Sequence, residues 1–190
     1  MYEFINYRIN KESTIVMAGS LPKGFTVEYA KIMLIEFAKK GARIVIDSRA
    51  FSLDDLREIK PWLIKPNQEE ISEYLGREIS TLEQTLQEAQ ALHEAGIENV
   101  MISMGGDGAL LVCSEGIFTA QPPKVEVLST IGAGDSSIAG FISSADPAPM
   151  QRLVRAVAFG TAACMTEGTL PPTPTDVANI LPNIQCSVLS

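Results

Sequence analysis

The alternation of short apolar runs with helix-period segments constrains this 190-residue chain more than any other feature. Thr14-Ile15-Val16-Met17-Ala18, ended by Gly19, and Arg43-Ile44-Val45-Ile46, closed by Asp47, have the length and composition of strands buried on both faces. Between them, residues 26–40 repeat apolar side chains at helical spacing, with Thr26 placed to cap the start and Gly41 to stop it. Trp62-Leu63-Ile64 reads as a strand and is followed by a helix after Asn67. Residues 81–95 read as a long helix closed by Gly96, and 99–103 as another strand. Strand-helix-strand units of this kind predict a parallel sheet with helices on both faces, a three-layer α/β fold. Residues 109–113 and 116–120, separated by Ser114-Glu115, predict a hairpin. Two more helices are expected near 133–143 and 150–166, and Leu170-Pro171-Pro172-Thr173-Pro174 reads as a loop.

A chain of this length with 46% hydrophobic residues can bury one substantial core, since such a domain hides roughly 70% of its unfolded surface. A single domain over 1–190 is therefore expected. The net charge of −8 argues against a nucleic-acid partner, because phosphate-backbone binders gather Lys and Arg on one face. Cys113, Cys164 and Cys186 have no CxxC spacing and read as reduced core thiols. No apolar run approaches the roughly 18 residues needed to span a bilayer. The start Met1-Tyr2-Glu3-Phe4 also lacks the layout of a signal peptide, so a cytoplasmic location away from membranes is expected. The sole histidine, His93, falls on the 81–95 helix and is expected to be solvated.

Several glycine-bearing segments follow strands, at the edge of an open sheet where ligands sit. In Ser129-Thr130-Ile131-Gly132-Ala133-Gly134-Asp135-Ser136, two glycines allow a tight turn, and the helix that follows points free N–H groups at any anion placed there. Asp135 can accept a proton from a hydroxyl at that point, or can simply cap the helix. In Ile64-Lys65-Pro66-Asn67-Gln68-Glu69-Glu70, Pro66 bars helix at Lys65, and Asn67 and Glu70 fall three apart on one helical face. An amide and a carboxylate so placed can orient metal-bound water, or can be a solvated helix start. Ser103-Met104-Gly105-Gly106-Asp107-Gly108 and Gly19-Ser20-Leu21-Pro22-Lys23-Gly24 are turns whose glycines permit close backbone approach to a ligand.

The octet ending in Asp135-Ser136, with Gly140-Phe141 beyond it, closely resembles the signature of the pfkB (ribokinase-like) carbohydrate kinase family. The resemblance extends to Lys65-Pro66-Asn67-x-x-Glu70, to the Ser103–Gly108 turn, to Gly19-Ser20-Leu21-Pro22-x-Gly24 and to the stretch 162–169. It implies a ribokinase-like three-layer fold, ATP and Mg2+, and phosphoryl transfer to an alcohol. Asp135 inherits the role of base, with Gly132, Ala133 and Gly134 as the anion hole. Nucleotide contacts fall by position on Lys65, Asn67, Ser103, Gly105, Gly108, Thr130, Gly132, Gly134 and Gly168. Asn67 and Glu70 are implied in magnesium handling, Ser20 and Asp135 in acceptor binding, and the carbonyls of Ile131 and Gly168 in holding a monovalent cation.

Ser129, where many members carry Asp, is similar to the phosphofructokinase branch, whose acceptors are fructose 1-phosphate, fructose 6-phosphate or tagatose 6-phosphate. Two other readings stay open: a nucleotide-binding remnant or interaction module without catalysis, and a kinase for an unphosphorylated sugar or a nucleoside. The resemblance runs from about Thr14 to the end, so the first βα units and β-lid of full-length members are expected to be missing. A sheet edge left open by that loss invites a homodimer or a complementing N-terminal partner.

Overall fold

In the computed structural model, which describes residues 2–189, the chain divides into two units, Met1–Met101 and Ile102–Ser190. The first contains helix α1 (Tyr2–Arg8), strand β1 (Thr14–Ala18), helix α2 (Val27–Lys39), strand β2 (Arg43–Asp47), helix α3 (Leu53–Ile59), strand β3 (Leu63–Ile64), helices α4 (Gln68–Leu75) and α5 (Leu82–Glu94), and the start of β4 (Asn99–Ser103). Capping sets these boundaries. Thr26 has extended backbone and its hydroxyl accepts the Tyr29 amide at 3.2 Å, while Gly41, at φ +86°, turns the chain out of α2. Ala30, Leu34 and Phe37 of α2 are buried at helical spacing. Fully burying a large apolar side chain contributes about 1.5–3 kcal/mol.

The strands run parallel, with Val16 opposite Val45, Val45 opposite Leu63 and Leu63 opposite Asn99. Ile44, Val45 and Ile46 of β2 are buried, as expected. β1 departs from expectation. None of its five residues is buried and Val16 is 42% exposed, because β2 is its only strand partner among the described residues.

The second unit holds the hairpin of β5 (Ala109–Cys113) and β6 (Gly116–Gln121), helices α6 (Ala133–Ile142), α7 (Pro149–Cys164) and α8 (Pro174–Ile180), and strand β7 (Gln185–Leu189). Its three strands are antiparallel, β7 pairing with β6 from Ile117 opposite Leu189 to Gln121 opposite Gln185. The expected parallel arrangement therefore covers the paired strands of β1–β4, and the expected hairpin of β5 and β6 is antiparallel. Ala158 and Ala162 of α7 pack with Val177 and Ile180 of α8.

Two smaller expectations are corrected. Of the three cysteines only Cys113 is buried, and Cys186 is exposed on β7. His93 is half-buried with Nδ1 2.7 Å from the Ile97 carbonyl, so it ties off the end of α5 instead of standing in solvent. Trp62 is buried beneath the Arg43 guanidinium, which lies 4.9 Å from its ring centre. Among the described residues no helix is long and apolar enough to cross a membrane.

Candidate active site

In the first unit, the parallel register gathers the ends of β1, β2 and β3 on one edge. The Gly19 amide donates to the Asp47 carbonyl at 2.9 Å, and the Ser48 hydroxyl donates to the Gly19 carbonyl. Ser20, the next residue, is exposed. Lys65 follows β3 directly, and its ammonium lies 3.4 Å from Asp47 with only 7% of the side chain exposed. Asp47 thus gives the enclosed ammonium the opposite charge that a buried ion requires.

Asn67 and Glu70 form a reciprocal cap on α4. The Asn67 side-chain carbonyl accepts the Glu70 amide at 2.8 Å, and Glu70 Oε2 accepts the Asn67 amide at 2.9 Å. Such a box contributes about 1 kcal/mol. Gln68 fixes the helix start from another side, donating to the fully buried Thr85 at 2.9 Å. Glu70's other oxygen accepts Arg49 Nε at 3.1 Å, and Arg49 also reaches Glu73 at 3.2 Å. The Glu70 carboxylate raises the guanidinium's proton affinity further.

Asp47, Ser48, Pro66, Glu70 and Tyr74 line one shallow cleft. Burial, with the nearby Glu70 and Asp47 charges, pushes the Tyr74 phenol up from 10.0 to about 12. Because the folded value is the higher one, Tyr74 adds stability that is complete below about pH 10 and lost as pH climbs through 12. A titration followed by tyrosinate absorbance is expected to show a step near 12 that vanishes in Tyr74→Phe. A final step unchanged by that substitution would contradict the burial.

In the second unit, the Gly-rich turn closes on α6. Gly132 is its N-cap at φ +81°, a conformation open to glycine and strained for other residues, and no side chain caps the helix. The Ala133 amide donates to the Thr130 carbonyl at 3.3 Å and the Ser136 amide to Gly132 at 2.9 Å. The amides of Gly134 and Asp135 have no acceptor among the described residues. Asp135 is exposed in this first turn.

The turn is held from behind by α7. A side chain at Gly160 would lie 2.3 Å from the Ser137 hydroxyl, and one at Gly140 would lie 2.6 Å from the Arg155 carbonyl. The α7 terminus also fixes the approach to the turn, since the Cys164 carbonyl accepts the amides of Leu128 at 2.8 Å and Ser129 at 3.2 Å. Leu128 and Ile131 stand 55% and 64% exposed beside the turn.

Ser103 ends β4, and Gly105 begins a short 3-10 turn. Gly108 has a local reason to be glycine: at φ +91°, a side chain there would fall 1.9 Å from the Ala120 carbonyl of β6. Gly168, at φ +61°, is exposed with open space around it.

The expected site residues thus form two groups, Ser20, Lys65, Asn67 and Glu70 on the first unit, and Ser103, Gly105, Gly108, Thr130, Gly132–Asp135 and Gly168 on the second. Asp47, Arg49 and Tyr74 were absent from the sequence-based set. The Asp closing the β2 run was visible as a strand end, but its pairing depends on the register of β2 against β3.

The curated relatives with similar sequence include the 1-phosphofructokinase of Haemophilus influenzae, 40% identical over 139 residues, or 73% of this chain and 43% of that protein. The 1-phosphofructokinase of Bacillus subtilis is 34% identical over 155 residues, 80% of this chain and 51% of that protein. This chain therefore spans about half or less of the length of these relatives. Among solved structures, phosphofructokinase-2 from Escherichia coli in complex with substrates and products superposes with a TM-score of 0.84 at 31% identity, covering 95% of this chain and 60% of that one. The same enzyme in complex with potassium gives 0.83 at 29%, covering 96% and 61%. These likenesses establish the ribokinase-like fold, and its sheet is mixed. The family model described as pfkB family carbohydrate kinase matches residues 3–176, and this chain belongs to that family.

Proposed function

We propose that residues 1–190 are the nucleotide-binding and catalytic portion of a kinase that transfers the γ-phosphoryl group of ATP to a hydroxyl of a sugar phosphate. The fructose 1-phosphate, fructose 6-phosphate or tagatose 6-phosphate class is the proposed acceptor. The observation that carries this reading is the first turn of α6, where an exposed carboxylate stands beside two amides without acceptors.

In this reading Asp135 takes the acceptor's proton as its oxygen bonds the γ-phosphorus and the bond to ADP breaks. The Gly134 and Asp135 amides, set by Gly132 and Ala133, hold the charge on the phosphoryl oxygens. Thr130, Ser103, Gly105, Gly108 and Gly168 border the nucleotide, and Leu128 and Ile131 offer apolar surface to its base. Ser20 holds the acceptor's phosphate. The carbonyls of Ile131 and Gly168 are the candidates for a monovalent cation. The open edge of β1 is the proposed place for a second chain, either a copy of this one or a segment that completes the sheet.

Kinases of this family work with ATP and magnesium. Asn67 and Glu70 do not fit a directly held ion in the arrangement observed. Each Glu70 oxygen already accepts a hydrogen bond, one of them from a guanidinium, and Asn67's carbonyl accepts another. Among the described residues no group of three or more His, Cys, Asp or Glu is placed to hold a metal. Magnesium handling by Asn67 and Glu70 would run through ordered water or phosphate, as the resemblance implies, with no ion on the carboxylate itself.

A coupled ADP-release assay with the three sugar phosphates, alongside calorimetric titration with ATP, tests the proposal. Turnover with at least one sugar above the rate of ATP hydrolysis is expected. ATP binding without transfer to any of them would replace this reading with that of a nucleotide-binding module.

A further inference from the structure

The cleft at the ends of β2 and β3 carries two carboxylates, Asp47 and Glu70, and each is neutralised from within the first unit. Lys65 sits 3.4 Å from Asp47 and is nearly enclosed, with 7% of its side chain exposed. Arg49 differs: its side chain is 53% exposed, and it clamps Glu70 at 3.1 Å and Glu73 at 3.2 Å from the solvent side. One cation is therefore fixed and the other stands at the mouth.

We propose that Arg49 is the resident counter-cation of Glu70 and keeps divalent metal ions off that carboxylate. Arg49 Nε takes the one Glu70 oxygen that the α4 cap leaves outward, since the other accepts the Asn67 amide at 2.9 Å. A divalent ion approaching that oxygen meets a guanidinium whose charge cannot be discharged by losing a proton. The ion must displace both arms of the clamp or stay out. A hydrated magnesium ion, which gives up water reluctantly, is poorly suited to do so. Removing the guanidinium leaves Glu70 and Glu73 with uncompensated charge at the mouth of the cleft, where a divalent ion would restore balance.

This deepens the reading of the site given above, and it is tested independently of ATP turnover. Mn2+ is titrated into the full chain without nucleotide and followed by electron paramagnetic resonance, for the unsubstituted protein, Arg49→Ala, Arg49→Gln, Glu70→Gln and Arg49→Ala/Glu70→Gln. The expected result is that Arg49→Ala and Arg49→Gln bind one Mn2+ at least about tenfold more tightly than the unsubstituted protein. Adding Glu70→Gln should abolish that gain, and Glu70→Gln alone should change nothing. The proposal is overturned if neither Arg49 variant gains Mn2+ affinity, if the gain survives Glu70→Gln, or if Glu70→Gln by itself weakens Mn2+ binding. Calorimetry of ATP in the presence of excess Mg2+, on separate aliquots of the same proteins, separates this outcome from the kinase reading. A chain that fails to bind ATP and yet gains a Glu70-dependent Mn2+ site through Arg49→Ala would refute the kinase and uphold the counter-cation.

Discussion

Asp135→Asn is expected to slow phosphoryl transfer by about 10²–10⁴-fold while ATP affinity stays within about threefold of the unsubstituted chain. The carboxylate and the amide have nearly the same shape, so the first turn of α6 should keep its form. The turn is built by backbone bonds from Ala133 to Thr130 and from Ser136 to Gly132, with no contribution from the Asp135 side chain to the cap. What the amide lacks is the capacity to take a proton from an attacking hydroxyl. The loss belongs in kcat, because the interaction removed is made only as the acceptor oxygen bonds phosphorus. ATP binding has no reason to suffer, since the Gly134 and Asp135 amides remain available and one negative charge near the phosphates is gone. Steady-state kinetics with a coupled ADP assay and calorimetric ATP titration read the two quantities separately. A variant that keeps most of its turnover would remove Asp135 from the role of base.

The fold was legible in the sequence wherever a strand is a short apolar run between punctuating residues. β2 reads directly from Arg43 to Asp47, and the α2 limits follow from Thr26 and Gly41, because capping and positive φ are local properties. α3 escaped notice although Ser52 and Asp55 form a capping box there, since seven residues give too little periodicity to register. β7 escaped for a different reason. Gln185–Leu189 is mostly exposed and its place is set by β6, whose paired residues run from Gln121 opposite Gln185 back to Ile117 opposite Leu189, far earlier in the chain. The exposure of β1 could not be read either, because an apolar run looks the same whether it has a neighbour on each side or on one.

Site residues divide along the same line. Gly132 and Asp135 were found because the turn and the helix start lie within one octet. The pairing of Lys65 with Asp47 depends on Ile46 lying opposite Ile64, and that of Glu70 with Arg49 on the cleft those strand ends form. Spacing along the chain carries neither. The Asn67–Glu70 pair shows a local pattern whose structural use is complete in itself, a reciprocal helix cap. Its resemblance to a metal-handling element and its role as a cap are both written in the same four residues.

Gly108→Ala is expected to destabilise the second unit by about 2–6 kcal/mol, combining about 1–3 from overpacking with about 1–3 from backbone strain. The residue precedes β5, has φ +91° and ψ −132°, and faces the β6 backbone, where an added Cβ would lie 1.9 Å from the Ala120 carbonyl oxygen and 2.9 Å from Gln121 Cα. Neither neighbour can give way cheaply. Ala120 is paired with Ala109 in the hairpin and with Cys186 on the other side, so moving its carbonyl disturbs two ladders. Against a typical domain stability of about 5–15 kcal/mol the loss is large enough to unfold part of the population. Gly105→Ala is the matched control: it stands in the same turn at φ +59° with nothing within 4 Å, so its cost is the left-handed backbone alone, about 1–2 kcal/mol. Urea denaturation of the two variants measures both values. Equal losses would mean that the approach of β6 does not dictate glycine at 108. A stable Gly108→Ala with weakened ATP binding would instead give the position to the nucleotide.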